Sequence, residues 1–202
     1  MKKKIAILGS TGSIGKNLLK ILEKDKSSVE ILLLTANKNH KVLLNQIKKY
    51  NVKNIIITNK LSYKILVKKI KKRNVNIYND YSSLNLIFKK KIDYVMSSIS
   101  GIEGLIPTIN IIKHTKKIAI ANKETIICAW NLIKNELNKN KTLFIPVDSE
   151  HFSLWYALQN LPSDQIEKIY LTASGGPFLN FNKKKLKKIN ISQALKHPNW
   201  KI

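Results

Sequence analysis

The 202-residue sequence predicts a doubly wound α/β fold, in which helices cover both faces of a parallel sheet, followed by the beginning of an α+β domain. Two observations indicate this fold class. Short apolar runs typical of buried strands alternate with helical patterns as far as residue 147. Beyond that point the alternation stops, and the sequence ends without a closing helix or cap. We therefore expect one domain over residues 1–147 and the start of a second, incomplete domain over residues 148–202.

The first domain is predicted to contain seven strands, each an apolar run bounded by polar or turn residues. In chain order the runs are KKKIAILG, VEILLLTA, NIIIT, NVNIY, YVMSSI, KIAIAN and TLFIPV. The predicted helices are KNLLKILEKD, HKVLLNQIKKYN, SYKILVKKIKKR, residues 103–114 and ETIICAWNLIKNEL. In the second domain we expect a helix (HFSLWYALQNL), a turn and helix cap at residues 162–164, and a strand (KIYLTAS) that runs into the turn GGPF.

The formal net charge of +25 raises the possibility of a nucleic-acid partner. However, the basic residues are 36 lysines and the single arginine Arg73, whereas base readout depends on the arginine fork. Lysine, asparagine and isoleucine are enriched together along the chain, and all three have AT-rich codons, so a bias of the genome explains the lysine content better than a binding face does. The lysine runs at residues 68–73 and 182–190 are therefore interpreted as solvated surface, and we expect no specific nucleic-acid partner.

Cysteine content and hydropathy indicate the cellular compartment in which the protein is expected. Cys128 is the only cysteine, which excludes an internal disulfide and is typical of a reducing compartment. Because it lies in the apolar stretch TIICAW, we expect its thiol to be buried. The first apolar run is too short for a secretory signal, and no stretch approaches the about 18 apolar residues of a membrane span. We expect a cytoplasmic protein with no membrane partner.

The stretch LGSTGSIG places Gly9, Gly12 and Gly15 between the first strand and the first helix. This is the context of a Rossmann-like dinucleotide-binding turn. Gly9 would allow the tight turn, Gly12 the close approach of a pyrophosphate, and Gly15 the packing of the helix on the strand. The free N–H groups of the helix N-terminus would bind the phosphates. A purely structural turn between strand and helix remains the alternative.

The end of the second strand predicts which nicotinamide cofactor is preferred. Sites that prefer NAD place an acid there to bind the ribose hydroxyls, but this segment, TANKNH, contains none. Lys38 and the amides of Asn37 and Asn39 could instead hold a 2′-phosphate. The sequence therefore favours NADPH, with the alternative that Lys38 is an ordinary surface lysine.

Two polar segments follow later strands, and ligands of such sheets bind at the carboxyl ends of strands. In the first, ANKE, Lys123 could meet an anionic or carbonyl group of a substrate. In the second, PVDSEH, Asp148 and Glu150 would project from one face of an extended chain, roughly 6.5–7 Å apart. Two carboxylates suit Mg²⁺ or Mn²⁺. An ion pair with a lysine stays the alternative, and His151 is predicted to point to the opposite face.

Two further motifs lie near the end of the chain. SGGPF (174–178) combines backbone N–H groups with a serine hydroxyl that suits a phosphate, and HPNW (197–200) is a polar loop. Taken in order, GSTGSIG, ANKE, PVDSEH, SGGPF and HPNW resemble the 1-deoxy-D-xylulose 5-phosphate reductoisomerase family, over essentially all 202 residues.

The resemblance implies an enzyme that converts 1-deoxy-D-xylulose 5-phosphate, a sugar phosphate, to 2-C-methyl-D-erythritol 4-phosphate in non-mevalonate isoprenoid biosynthesis. It implies NADPH and Mg²⁺ or Mn²⁺ as cofactors, and a homodimer at full length. The cation would lie between the two carboxylates and bind the substrate's ketone and hydroxyl oxygens during isomerisation to an aldehyde, which NADPH then reduces. A flap would close over the substrate and exclude water.

The resemblance also implies roles for individual residues. Those matching cofactor positions are Thr11, Gly12, Ser13, Ile14, Asn37, Lys38, Asn39, Asn122 and Glu124. Those matching substrate-binding positions are Lys123, Ser149, Glu150, Ser174 and His197, with Trp200 on the flap. Asp148 and Glu150 match metal ligands and, with Lys123, are the expected catalytic residues.

Two departures from the family pattern matter. Asn37 stands where the family's adenosine loop has glycine, and the family continues past HPNW with a third carboxylate ligand and a helical C-terminal domain. The 202 residues are therefore expected to bind NADPH without completing the substrate pocket. Two other functions remain open on the sequence alone. One is an NADP-dependent dehydrogenase without isomerisation, which would need no cation, and the other is a basic nucleic-acid-binding module.

Overall fold

The computed structural model describes residues 2–70, 74–171 and 176–196. The chain separates into two compact units, Met1–Trp155 and Tyr156–Ile202. Each unit has its own character: the first contains the sheet and all of the buried residues that the structure describes, whereas no described residue of the second is buried. The described hydrophobic core therefore belongs to the first unit.

The first unit is built on a seven-stranded parallel sheet with the order β4-β3-β2-β1-β5-β6-β7 among the described residues. The predicted doubly wound fold is confirmed. The strands are β1 (Lys3–Leu8), β2 (Val29–Ala36), β3 (Asn54–Ile57), β4 (Asn76–Tyr78), β5 (Tyr94–Ser97), β6 (Lys117–Ile120) and β7 (Leu143–Pro146).

Helices connect the strands and continue into the second unit. In chain order they are α1 (Ser13–Leu22), α2 (His40–Tyr50), α3 (Lys60–Ile70), α4 (Leu84–Ile87), α5 (Leu105–Ile112), α6 (Lys123–Lys139), α7 (Ser149–Leu158), α8 (Lys183–Leu186) and α9 (Ile191–Ala194). Short 3₁₀ turns precede α4 and α5, at Tyr81–Ser83 and Ile102–Gly104.

Two apolar layers, one on each face, hold the sheet. Successive residues of a strand point to opposite faces, so Ala6 and Leu8 of β1 belong to one layer and Ile7 to the other. Each fully buried Leu or Ile contributes about 1.5–3 kcal/mol relative to an exposed one. Burial on both faces explains why the strands are continuous apolar runs in the sequence. Because the paired strands are parallel, their carboxyl ends lie along one edge of the sheet.

The order of the strands creates a switch point at β1. From β1 the chain builds outward to β4, then returns to place β5 on the other side of β1, pairing Ile5 with Tyr94 and Leu8 with Ser97. The connections that leave β1 and β5 therefore diverge to opposite faces, which opens a crevice at their carboxyl ends. Ligands of open α/β sheets bind at this position.

Two predictions on local structure are wrong. Residues 168–171 of the predicted strand KIYLTAS form no strand, and residues 172–174 of it lie outside the described residues. Cys128 is exposed, because the buried stripe of α6 follows Thr125, Ala129, Ile133 and Leu137 and passes it by. Within the described ranges, no helix has both the length and the apolar character needed to cross a membrane.

Candidate active site

The glycine turn joins β1 to α1 as the sequence predicted. Gly9 has φ +79°, and a side chain there would lie 2.7 Å from the carbonyl oxygen of Ser98 on the neighbouring connection. A Cβ on Gly15 would come within 2.6 Å of the Gly9 oxygen, whereas one on Gly12 would meet it at 3.4 Å. Gly9 and Gly15 are therefore required by packing, and Gly12 is exposed and available to a ligand.

Gly12 is also the N-cap of α1, without a side chain to bind the free N–H groups of the first turn. Ser13 and Ile14, which follow it, are exposed, and no acidic residue lies in this turn. The helix N-terminus therefore presents unoccupied donors and a partial positive charge to the crevice, the arrangement that binds phosphate groups.

The crevice is a cavity of about 860 Å³ along the carboxyl ends of the central strands. Its walls come from the glycine turn, the end of β2, the segment after β3 and the connection from β5 to α5. The residues that line it include Gly9, Thr11, Gly12, Thr35, Asn37, Lys38, Thr58, Tyr81, Ser98, Ile99 and Glu103. The predicted glycine turn and adenosine loop thus share one cavity.

The loop after β2 uses its two asparagines to hold its own shape. The Asn39 side chain accepts a hydrogen bond from the backbone N–H of Val42 (3.2 Å) and caps α2, while Asn37 Nδ2 donates to Thr58 Oγ1 (2.9 Å). Lys38 is exposed, and it forms no ion pair in the parts of the chain that are described. Of the three, the Lys38 ammonium group is the one available to an anion.

Asn122, predicted at the cofactor, is only 3% exposed and links two segments. Its side-chain oxygen accepts a hydrogen bond from the Thr125 N–H (2.9 Å) and caps α6. Its amide nitrogen donates to the carbonyl oxygens of Ile99 and Gly101 (2.6 Å to the latter). The cavity-lining Ile99 segment and the first turn of α6, with exposed Lys123 and Glu124, are therefore fixed to one another.

Lys123, Asp148 and Glu150 line a second cavity of about 600 Å³. The rest of its wall is largely apolar and comes from α6, β7 and the start of α7: Ile126, Ile127, Trp130, Phe144, Pro146, His151 and Trp155. The sequence predicted that these three charged side chains belong to one site, and the fold brings them together because β6 and β7 are neighbours that end at the same edge. Ser149 lies between the two carboxylates.

The predicted extended geometry of PVDSEH is wrong. β7 ends at Pro146 and α7 begins at Ser149, so Asp148 stands at the start of a helix and Glu150 lies in its first turn. Asp148 Oδ1 accepts the backbone N–H of His151 (2.8 Å) and lies 2.7 Å from His151 Nδ1. His151 therefore lies on the same side as Asp148, contrary to prediction, because residues three apart in a helix are neighbours.

Both carboxylates are favoured in the charged form. Burial acts to raise the pKa of Asp148, but hydrogen bonds from the backbone and ring of His151 outweigh it and lower the pKa overall. The pKa of Glu150 is lowered chiefly by the Ser149 hydroxyl, which donates to Oε2 at 2.8 Å. Two ionised carboxylates at the mouth of one cavity suit a divalent cation.

The donor set fits such a cation only in part. Mg²⁺ is typically held by one or two carboxylates together with substrate oxygens and water. Among the described residues, no group of three or more His, Cys, Asp or Glu side chains could enclose a metal ion. Asp148 and Glu150 therefore fit as two ligands of an open site, which leaves coordination positions for other oxygens.

Three predicted residues, Ser174, His197 and Trp200, lie outside the described residues. Conversely, the cavity contains side chains that sequence reasoning missed, notably Thr35, Tyr81, Ser98 and Glu103. Ser98 and its neighbours could have been found, since they follow a strand whose carboxyl end must meet the same edge. Tyr81 carries no such signal, because it precedes a short helix far from the switch point in sequence.

Two family models match the chain. The model described as 1-deoxy-D-xylulose 5-phosphate reductoisomerase matches residues 5–130, and the model of that enzyme's C-terminal domain matches residues 144–202. Residues 131–143 lie between the two matched ranges, and the second range begins at the start of β7.

Curated relatives agree with the family models. The chain is 57% identical to the 1-deoxy-D-xylulose 5-phosphate reductoisomerase of Pelagibacter ubique over 99% of its own length and 52% of the relative's. It is 41% identical to the enzyme of Phocaeicola vulgatus over 100% of its own length and 53% of that protein. The chain thus spans about half the length of the curated relatives it matches.

Solved structures of the same name superpose on the chain. The reductoisomerase of Zymomonas mobilis in complex with NADPH gives a TM-score of 0.82 at 30% identity, covering 98% of this chain and 52% of that one. A DOX-P reductoisomerase in complex with NADPH, fosmidomycin and magnesium gives 0.77 at 29% identity, covering 99% of this chain and 52% of that one. With more than half of its residues matched by the family model, the chain belongs to the 1-deoxy-D-xylulose 5-phosphate reductoisomerase family.

Proposed function

We propose that this chain forms the NADPH-binding part, and half of the metal and substrate site, of an enzyme that converts 1-deoxy-D-xylulose 5-phosphate to 2-C-methyl-D-erythritol 4-phosphate. The observation that carries the proposal is the single cavity shared by the glycine turn, the acid-free end of β2 and Lys38. The Asn122 side chain joins one wall of that cavity to the helix that begins with Lys123. Family membership supplies the reaction.

The cofactor proposal is supported by the chemistry of the crevice. Thr11, Ser13 and Ile14 would hold the pyrophosphate through backbone N–H groups at the start of α1, and Gly12, whose N–H donates to the Gly9 carbonyl oxygen, would allow its close approach. Lys38, with the N-terminus of α2 capped by Asn39, would hold the 2′-phosphate. Asn37, Asn122 and Glu124 complete the proposed cofactor positions, Asn122 by fixing the wall of the crevice.

In the second cavity we assign Asp148 and Glu150 to a Mg²⁺ or Mn²⁺ ion and Lys123, Ser149 and Glu150 to the substrate. When bound, the cation supplies Lewis-acid polarisation of substrate oxygens, and NADPH supplies the hydride. The Lys123 ammonium would stabilise negative charge that develops on those oxygens, and His151 would keep Asp148 ionised and oriented. Ser174, His197 and Trp200 are proposed for the substrate's phosphate and the closing flap.

We also propose a domain boundary, an oligomeric state, a cellular location and the class of partner for the chain. The strand–helix pattern supports a domain boundary near residues 147–148, and the hydropathy and the lysine-rich composition support a cytoplasmic location and the absence of a specific nucleic-acid partner. The family resemblance supports a homodimer of the full-length protein. Sedimentation of a chain extended to the relatives' length tests the homodimer, because a monomer at micromolar concentration would contradict it.

The cofactor half is tested by titrating this 202-residue chain with NADPH and NADH at physiological salt and following nicotinamide fluorescence. We expect saturable binding that favours NADPH. Lys38→Glu should remove that preference, because a carboxylate repels the 2′-phosphate. Lys60→Glu, at the exposed start of the neighbouring helix α3, is the matched charge control and should leave the preference unchanged. Absence of binding by a chain that unfolds cooperatively would overturn the proposal.

The catalytic half is tested in a chimera that joins this chain to the C-terminal half of the 57% identical relative. Turnover of 1-deoxy-D-xylulose 5-phosphate should require added Mg²⁺ or Mn²⁺. Asp148→Asn should weaken metal-dependent turnover and raise the metal concentration that half-maximal turnover requires, without changing NADPH affinity. Unchanged metal-dependent turnover would contradict the assignment. Asp164→Asn, an exposed acid in the 3₁₀ turn after α7, is the control and should behave as the parent chimera.

A further inference from the structure

A buried polar cluster lies directly beneath the glycine turn and consists of Ser10, Thr35, Gln46 and Tyr81. Ser10 and Thr35 are 0% exposed and Gln46 is 6% exposed. Tyr81 is half-buried. Buried polar groups are costly unless they are paired, so the hydrogen bonds of the other three residues are needed to offset their burial. None of the four was predicted from the sequence, and only Thr35 and Tyr81 reach the wall of the crevice.

Gln46, on α2, forms two hydrogen bonds to one residue of the turn. Its Nε2 donates to the carbonyl oxygen of Ser10 (2.8 Å), and its Oε1 accepts from Ser10 Oγ (2.8 Å). This arrangement fixes both the position and the rotation of the Ser10 peptide. Because Thr11 comes next, it also determines where the Thr11 N–H points, and it supports the turn in which the Gly12 N–H donates to the Gly9 carbonyl oxygen (3.1 Å).

Thr35 holds the turn from the other side. Its carbonyl oxygen accepts the Ser10 N–H (2.9 Å), and its Oγ1 accepts the Gly9 N–H (3.0 Å). The Tyr81 hydroxyl donates to the same Oγ1 (3.1 Å). Burial raises the pKa of Tyr81 to about 12, so the hydroxyl stays a donor near neutral pH. The N–H groups of Gly9 and Ser10 and the carbonyl of Ser10 are thus bound by the cluster, whereas the Gly9 carbonyl oxygen accepts the Gly12 N–H (3.1 Å) within the turn.

We propose that Gln46 is a positioning residue for the cofactor pyrophosphate, acting through Ser10 to hold the glycine turn in its binding conformation. The inference rests on the proposed NADPH function. Gln46 does not line the crevice, so it acts without touching the cofactor. Because the hydrogen bonds of its side chain within the described part of the chain go to Ser10 of the turn, it serves the pyrophosphate and not the 2′-phosphate, which the loop around Lys38 would hold.

The test compares two ligands on three variants of this chain. NADPH contains the pyrophosphate, whereas 2′-AMP contains only the adenosine and its 2′-phosphate. Gln46→Met keeps the side-chain volume and removes both hydrogen bonds. We expect its NADPH affinity to fall about tenfold, corresponding to about 1.4 kcal/mol, with 2′-AMP affinity changed by less than about twofold. Ser10→Ala removes the hydroxyl contacts to Gln46 Oε1 (2.8 Å) and to the Thr35 carbonyl oxygen (3.2 Å) but keeps the bond from Gln46 Nε2 to the Ser10 carbonyl, and it should show a smaller loss in the same direction.

Ile47→Val is the matched control, since it removes one buried methyl group from the same helix next to Gln46 without touching the turn. It should lower the unfolding midpoint and leave both affinities unchanged. The inference is overturned if Gln46→Met weakens NADPH no more than Ile47→Val does, or weakens both ligands equally. Failure of the parent chain to bind NADPH would instead overturn the proposed function, so the two failures are distinguishable.

Discussion

At the scale of single residues, two glycines of the turn are needed for different reasons, Gly15 for packing and Gly12 for access of a ligand. Gly15 is needed because a Cβ would press on the backbone of Ser10 and Gly9 at 2.6 Å, and backbone cannot move aside cheaply. Gly12 has room for a methyl group at ordinary contact distance, and its exposed surface faces the crevice. One glycine therefore serves folding and the other serves the ligand.

Alanine substitutions should separate these roles. Gly15→Ala is expected to lower the free energy of unfolding by about 1–3 kcal/mol through overpacking. Gly12→Ala should change it by less than about 0.5 kcal/mol, yet weaken NADPH binding, because the methyl group occupies the approach of the pyrophosphate. Urea unfolding and NADPH titration of both variants provide the measurements. Equal stability losses at the two positions would contradict the distinction.

His114 provides a pH-dependent contribution to stability. It is 8% exposed, its Nε2 has no hydrogen-bond partner among the described residues, and burial, helped by the charge of Lys113, lowers its pKa. As pH falls below about 6.5, the ordinary pKa of histidine, the unfolded chain binds a proton that the folded chain does not. The free energy of unfolding should therefore decrease as the pH is lowered, and this group contributes at most about 1.4 kcal/mol per pH unit.

The measurement is urea unfolding between about pH 7.5 and pH 5. His114→Phe, which cannot be protonated and can pack beside Phe88, should show a shallower dependence than the parent chain. Comparison of the two removes the contribution of the carboxylates, which are the same in both. Identical slopes would show that His114 is protonated equally in the folded and unfolded states.

At the scale of elements, the start of α6 is the connection between the two cavities. Asn122 caps the helix and holds the Ile99–Gly101 segment, so one side chain sets the position of Lys123 relative to the cofactor crevice. The kink in α6 at Ala129 (φ −143°, ψ 31°) separates this first turn from the rest of the helix. Asn122 therefore holds the part of α6 before the kink, together with the packing of Thr125 and Ile126.

Asn122→Ala should cost about 0.5–2 kcal/mol for the lost cap and about 1–3 kcal/mol more for the unpaired carbonyl groups of Ile99 and Gly101. Asn39→Ala is the matched control, because Asn39 also caps a helix but its side chain has no comparable second contact. It should lose the capping energy alone. Urea unfolding of the two variants gives the comparison, and equal losses would deny the linking role of Asn122.

Much of this arrangement could be predicted from the sequence for a physical reason. Strands buried on both faces must be apolar throughout, and polar residues that follow them must meet at one edge, which located Gly12, Lys38, Lys123 and Asp148. The helical start at Ser149 could not be predicted, because Asp-Ser-Glu suits both an extended chain and a helix cap. Gln46 could not be predicted either, since its partner lies 36 positions away.

At the scale of the whole molecule, the net charge of +25 dominates the solution behaviour. Lysines repel one another across the surface, and few carboxylates offset them: the described salt bridges are surface contacts such as Lys116 with Asp93. Self-repulsion of this kind destabilises the compact state and is weakened by salt. The same charge attracts nucleic acid without any specific site.

We therefore expect the urea midpoint of unfolding to rise when NaCl is increased from about 0.02 M to about 0.5 M, over which the Debye length shortens several-fold. Binding to DNA of any sequence should be detectable at the lower concentration and lost at the higher one. NADPH binding should persist at about 0.15 M salt, because its backbone contacts are directional. DNA binding that is sequence-dependent and survives the higher salt would support the nucleic-acid alternative.

The pairing of β1 with β5 also has a consequence for how the protein folds. Their paired residues Ile5 and Tyr94 lie 89 positions apart, and strands β2, β3 and β4 are synthesised between them. Contacts so distant in sequence form slowly, because the entropy of closing the loop comes before their stabilisation. The crevice does not exist until this pairing closes, so a nascent chain can acquire its cofactor only after the sheet has joined across its middle.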